Sequence, residues 1–184
     1  MDGTDLSLQA AMVPLVNGGL NRWGVVTAAA YDAAAKPGLR CADLAPWCRS
    51  IVVFASGGRR LWDEMMVAMR GDPSLLTDHP HPLDAHVERL TSGVRLGGGR
   101  ARWILATADE SVFIDFRTLA VLAGVGAPSR LGLVIHPDVG PWMGLRAACF
   151  VEDVFNPSSP AQDVCASCDA PCISACPAGA LADG

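Results

Sequence analysis

An α/β or α+β sandwich over residues 1–155, followed by a small cysteine module over residues 156–184, is the architecture this sequence predicts. Three observations predict it. Short β-rich runs alternate with helical segments as far as Val151. Apolar residues make up 51% of the chain and charged residues 18%, enough to bury a core and too few charges for intrinsic disorder. Four of the seven cysteines follow the polar, Pro/Ser-rich stretch Asn156-Pro157-Ser158-Ser159-Pro160-Ala161-Gln162, which has the composition of a linker.

The elements follow in order. Leu6 to Leu20 reads as an amphipathic helix, with Pro14 a candidate kink. Trp23 to Ala28 reads as a strand. Ser50-Ile51-Val52-Val53-Phe54-Ala55 is short and β-rich, the pattern of a buried strand. Ser56-Gly57-Gly58 ends it, and a helix runs from Arg59 to Arg70, with Met65, Met66 and Met69 filling core space. Asp72 to Pro82 carries prolines and histidines and reads as a loop. Leu83 to Val94 is a helix with Leu83, Val87 and Leu90 on one face. Arg102 to Ala106 is a strand. Phe116 to Ala123 is a helix that Gly124 caps. Leu131 to Ile135 and Leu145 to Val151 are strands. Strands alternating with helices build layers, hence the sandwich.

Nineteen acidic against fourteen basic residues give a net charge of −5. A nucleic-acid binder uses a basic face to displace counterions, so no nucleic-acid partner is expected. No run approaches the roughly 18 apolar residues of a membrane span, so no membrane partner is expected either. The N-terminus, Met1-Asp2-Gly3-Thr4-Asp5, is acidic where a secretory signal is basic. A soluble, cytoplasmic protein is the expectation.

Cys165, Cys168, Cys172 and Cys176 have the spacing C-x2-C-x3-C-x3-C-P. Clustered cysteines in a cytosolic chain point to metal or redox chemistry rather than disulfides. Thiolates are soft ligands that suit iron–sulfur clusters or zinc. The bacterial ferredoxin run C-x2-C-x2-C-x3-C-P is one residue shorter in its middle gap. Small residues after Cys176-Pro177 let backbone N–H groups approach cluster sulfides. The alternative is a structural Cys₄ zinc site, which usually comes as two C-x2-C knuckles across a longer loop. The compact run therefore favours a [4Fe–4S] cluster on these four cysteines. Either all four hold one cluster, or the fourth belongs to a two-cluster module whose partner half is missing from this chain.

Gly124-Val125-Gly126 follows a helix and precedes a strand, the reverse of a dinucleotide-binding loop. These glycines serve either a turn or the close approach of backbone to a flat ligand. Residues 124–142 resemble the stretch G-L-G-W-I-G-K-N-x-L-L-I-H-P-x-x-G-S-W of epoxyqueuosine reductases. The match falls at Gly124, Gly126, Leu133, Ile135, His136, Pro137, Gly140 and Trp142. Reductive dehalogenases share the order of glycine-rich turn, strand and cluster cysteines. Gly19-Leu20-Asn21-Arg22-Trp23-Gly24-Val25-Val26 is similar to the family's N-terminal G-F-x-x-x-G-I. Leu44 to Val53 is similar to its L-P-G-A-R-S-V-I-V-V.

The resemblance implies a nitroreductase-like sandwich that holds cobalamin, with iron–sulfur clusters delivering electrons to cobalt. It places Gly124, Gly126, Arg130 and His136 at the cofactor. Arg130 stands within Ala127-Pro128-Ser129-Arg130-Leu131, which replaces W-I-G-K-N. The family's general acid is the aspartate of V-D-T-G-P. Counting back without gaps puts Glu110 there, with Asp109 and Asp115 nearby and no T-G-P. A carboxyl group in a partly dry pocket can hold and donate a proton. Asp109-Glu110-Ser111 also reads as a solvated turn.

Other candidates carry less. Asp78-His79-Pro80-His81 reads as an exposed loop rather than a metal site. Ser56-Gly57-Gly58-Arg59-Arg60 suits either an anion at a helix start or a plain turn. Cys41, Cys48 and Cys149 read as buried or idle thiols. Two functions remain. One is a corrinoid-dependent oxidoreductase served by a reductant or redox partner protein, acting on a small molecule. The other is a non-enzymatic electron carrier or cofactor-handling module.

Overall fold

The structure, a computed structural model, describes residues 3–107 and 112–181, with side chains from Leu8 onward. Eight helices and six strands follow in order among them. These are α1 (Gly3–Asn17), β1 (Arg22–Thr27), α2 (Ala28–Ala34), α3 (Cys41–Leu44), β2 (Ser50–Gly57), α4 (Arg60–Gly71) and α5 (Ser74–Thr77). Then come α6 (Pro82–Ser92), β3 (Ala101–Leu105), α7 (Phe116–Leu122), β4 (Ala127–Pro128), β5 (Val134–Ile135), β6 (Met143–Val151) and α8 (Pro171–Ser174). No helix among the described residues is long and apolar enough to cross a membrane.

Four strands form one sheet in the order β1-β2-β6-β3, antiparallel throughout. The α+β form of the expected sandwich is therefore the one adopted. All eight residues of β2 are buried, because it lies inside the sheet with helices on both faces. That is why its sequence is a continuous apolar run rather than an alternation. On one face Ile51, Val53 and Ala55 pack with Ala148, Phe150 and the residues Tyr31, Cys41, Leu119 and Ala120 of α2, α3 and α7. On the other, Val52 and Phe54 pack with Ala147, Cys149 and Val151 against Leu8, Met12, Leu15, Leu61 and Val87 of α1, α4 and α6. Leu8, Met12 and Leu15 are spaced four and three apart, so one stripe of α1 faces the sheet.

Several elements differ from the sequence expectation. The first strand stops at Thr27, because the Thr27 hydroxyl accepts the Ala30 N–H at 3.2 Å and caps a helix over the alanine-rich stretch that follows. α3 was not anticipated, and α5 interrupts the expected Asp72–Pro82 loop. The expected strand Leu131–Ile135 shrinks to Val134–Ile135. Ser129 N–H and Oγ both donate to the Leu133 carbonyl, at 3.0 and 2.8 Å, and Gly132 turns with φ +72. The result is a β4–β5 hairpin outside the main sheet. The capping role of Gly124 is observed: with φ +67 it donates its N–H to the Val121 carbonyl, while Val125 donates to Ala120. This is a Schellman ending.

The segment expected as a linker is tied down. Phe155 is buried and its N–H donates to Ser50 Oγ at 3.0 Å. Ser158 runs beside β1: its N–H donates to the Val25 carbonyl and its Oγ accepts the Val25 N–H, both at 2.9 Å.

His86, on α6, is buried, and neither ring nitrogen has a hydrogen-bond partner among the described residues. Burial holds its pKa below the usual histidine value, outweighing the opposing Gly18 backbone, with smaller contributions from Arg89, which lowers it, and Glu64, which raises it. The unfolded chain takes up a proton near pH 6.5 that the folded chain resists. Stability is therefore complete above that pH and declines as pH falls below it. Thermal melts from pH 7.5 to 5.5 should show a falling midpoint, and His86→Leu should flatten the decline.

Candidate functional site

The segments between β3 and α7, and between α7 and β6, build a concavity. A cleft of about 590 Å³ lies between Thr118, Val121 and Leu122 of α7, Pro128, Ser129, Leu133 and Val134 of the hairpin, and Lys36 and Leu39. A second hollow of about 400 Å³ adjoins it, lined by Leu105, Thr107, Val112 and Ile114. The two share Phe113, Asp115 and Arg117. Phe113 is 73% exposed and Leu133 52%, so apolar side chains stand open at the mouth. Such surface on a folded domain marks a place where something apolar binds.

The walls are held by specific bonds. Arg117 Nη2 donates to the Gly132 carbonyl and clamps the hairpin to α7. Asp115 caps α7, accepting the Thr118 N–H at 3.0 Å and the Thr118 hydroxyl at 2.7 Å. Burial raises its pKa, but the Thr118 and Arg117 hydrogen bonds outweigh burial and keep the carboxyl below its ordinary value. Asp115 is thus an ionised cap, not a proton donor. Its own N–H donates to the buried Tyr31 hydroxyl at 3.1 Å. Asp109 and Glu110 lie outside the described residues. In the chain they fall between Thr107 and Val112, both of which line the smaller hollow.

The four cofactor candidates lie along the end of α7 and the β4–β5 hairpin that follows it. At Gly124 an added Cβ would lie 2.0 Å from the Ser159 carbonyl oxygen, and at Gly126 2.7 Å from that of Ile135. Both glycines permit close approach, and protein backbone makes that approach. Arg130 is exposed in the turn of the hairpin. His136 pairs with Gly140 across a small bridge, and its Nδ1 accepts the Asp138 N–H at 3.0 Å. A neutral ring then carries its proton on Nε2. Burial lowers the His136 pKa and Arg22 adds to this against Asp138, so the ring is neutral at pH 7. Arg22, whose Nε is buried with no hydrogen-bond partner among the described residues, carried no signal in the sequence.

Beyond Ser158 the chain runs on to the four clustered cysteines. Cys165, Cys168, Cys172 and Cys176 are free thiols; Cys168 is exposed and the others half-buried. Ala170, at φ 54, turns the chain into α8. The backbone N–H groups of Ala180 and Ala178, with lesser help from Leu181 and Gly179, outweigh burial and hold the Cys176 thiol below its usual value. Among the described residues no three ligating side chains stand close enough to hold one metal ion. A zinc ion requires its sulfurs within about 2.3 Å of a single centre. A cubane offers one iron to each thiolate and accepts a wider ligand set. Soft donors, accessible thiols and an N–H-rich turn at Cys176 fit an iron–sulfur cluster. By contrast Cys41, Cys48 and Cys149 are buried. Cys41 and Cys48 touch at 3.9 Å, and the Cys48 thiol donates to the Ser50 carbonyl.

Together these features define a class: an α+β sandwich with an apolar cleft and an appended four-thiol module. Within that class the chain resembles epoxyqueuosine reductases in both sequence and fold. It is 38% identical over 63 residues to the epoxyqueuosine reductase of Listeria monocytogenes, a match covering 34% of this chain and 16% of the relative. It is 37% identical over 78 residues to that of Staphylococcus aureus, covering 42% and 20%. The structure of the Bacillus subtilis enzyme superposes with a TM-score of 0.57 at 20% identity, covering 96% of this chain and 54% of that one. A second epoxyqueuosine reductase, solved with an epoxyqueuosine-modified tRNA stem loop, gives a TM-score of 0.58 at 20% identity over 97% and 52%. The chain thus spans about half the length of these solved relatives. No protein-family model matches it.

Proposed function

We propose that this chain is an iron–sulfur redox protein passing single electrons from a [4Fe–4S] cluster to a corrinoid held by residues 1–155. Cys165, Cys168, Cys172 and Cys176 hold the cluster. The observation that carries this reading is four accessible thiols, one already in an N–H-rich turn, attached to a fold shared with epoxyqueuosine reductases. When bound, the two groups supply one-electron chemistry and a reducing metal centre.

The protein's own residues do the rest. Val121, Leu122, Pro128, Leu133 and Val134 offer an apolar wall that takes a flat macrocycle and excludes water. The cleft lies in the size range of small-molecule sites. Phe113 stands at the mouth, open to a ligand. Glu110, in the segment between Thr107 and Val112, is the proton donor of this reading, and His136 contributes a neutral Nε2–H. A redox partner protein or reductant recharges the cluster. The tRNA stem loop bound by one structural neighbour brings an RNA substrate within the proposal, despite the acidic net charge.

Anaerobic protein should contain roughly four irons and four sulfides per chain. Added cobalamin should change its visible spectrum. An intact cluster with an unchanged corrinoid spectrum makes the chain an electron carrier. Iron-free protein after anaerobic reconstitution removes the reading altogether.

A further inference from the structure

A third concavity lies on the α4 and α6 side of the sheet and shares no lining residue with the cleft. Phe54 pairs with Ala147 and Ala55 with Leu145, so Arg146 is the extra residue of a β-bulge in β6. Bulges re-aim a side chain, and they recur beside binding sites. Here the guanidinium folds back over Gly144, where an added Cβ would lie 2.6 Å from Nη2. Nε donates to the buried Ser56 hydroxyl at 3.1 Å. Nη1 and Nη2 make no hydrogen bond or ion pair among the described residues. Asp84 on α6 acts on the guanidinium only through longer-range attraction. The half-buried cation thus presents its free fork to a cavity of about 480 Å³ lined by Ser56, Gly58, Arg59, Trp142 and Met143. At the rim the Trp142 ring is 80% exposed.

We infer that this cavity binds a phosphate ester carrying a planar base. The Arg146 fork suits two phosphate oxygens, and a desolvated guanidinium strengthens such bonds. Ser56 holds the fork in place. An exposed indole costs nothing when a base stacks on it, and stacking tolerates any base. Arg59 at the entrance is already paired with Asp63 at 2.9 Å, which leaves Arg146 as the cation with a free fork among the residues lining the cavity. The ligand is a free nucleotide or one nucleotide of an RNA strand. Neither iron nor corrinoid enters this inference.

Calorimetric titration of the full-length chain with inorganic phosphate, AMP and a single-stranded RNA hexamer tests it. AMP should bind more tightly than phosphate. Arg146→Lys keeps the charge without the planar fork and should weaken AMP about tenfold or more. Trp142→Ala, at an exposed site, should weaken AMP but leave phosphate unchanged. RNA binding that needs both residues supports the site and makes the strand its source. No binding of any probe at millimolar concentration, or AMP binding indifferent to both substitutions, overturns it.

Discussion

Cys168→Ala is expected to abolish iron incorporation while leaving the sheet domain folded. Cys168 is exposed and joins neither hydrophobic cluster. The substitution therefore leaves no cavity in the core. It removes one of four thiolates, and a cluster short of one ligand is not retained by the remaining three. Iron and sulfide content after anaerobic reconstitution should fall from roughly four of each to near zero. Compared as iron-free proteins, variant and parent should unfold within about 0.5 kcal/mol of each other. The iron-free comparison matters, because a bound cluster stabilises the folded state by mass action. Loss of all far-UV circular dichroism would show that the module and the domain fold as one unit.

Gly124→Ala is expected to produce a large stability loss for a change of one methyl group. Two costs add. At φ +67 an alanine sits in the left-handed region, a strain of about 1–2 kcal/mol. Its Cβ would also meet the Ser159 carbonyl oxygen at 2.0 Å, and backbone cannot rotate away as a side chain can. Forcing matter into packed space adds about 1–3 kcal/mol. Gly38→Ala isolates the first cost: φ is +86, and nothing lies within 4 Å of the new methyl. Urea unfolding should place Gly124→Ala well below Gly38→Ala. Equal midpoints would mean that the 156–161 segment is not held against the α7 ending. Limited proteolysis around Ser158 should report its release in the first variant alone.

Much of the architecture was readable locally. β2 announced itself as a continuous apolar run because both of its faces are covered. α7 and its end were legible because a Schellman ending needs a residue that tolerates positive φ, and Gly124 is one. α2 was missed although its signal was present: Thr27 ahead of an alanine-rich stretch is a capping pattern. The hairpin was misread as one long strand because Leu131 to Ile135 is mostly apolar and the turn at Gly132 depends on Ser129 reaching Leu133.

The candidate site was legible only in part. The thiol run stood out because a ligand set within twelve residues is a local property of the chain. The cleft did not, since it joins Leu39, Val121 and Leu133 from three separate segments. Gly124 and Gly126 were noticed, yet their neighbours were hidden: each meets backbone that arrives from elsewhere. Arg22 and Arg146 look like any other arginines in a strand until register and bulge set their direction.

What the chain determined by itself is therefore short-range: helical and strand periods, caps, and the spacing of Cys165, Cys168, Cys172 and Cys176. These follow from contacts between residues a few positions apart. What only the tertiary structure decided is the antiparallel order of the sheet, the cleft, the docking of Ser158 on β1 and the aim of Arg146. Val53 pairs with Ala148 and Val25 with Val52, and no local interaction chooses such partners. Both faces of the sheet must be buried at once, and that cooperative requirement selects the register.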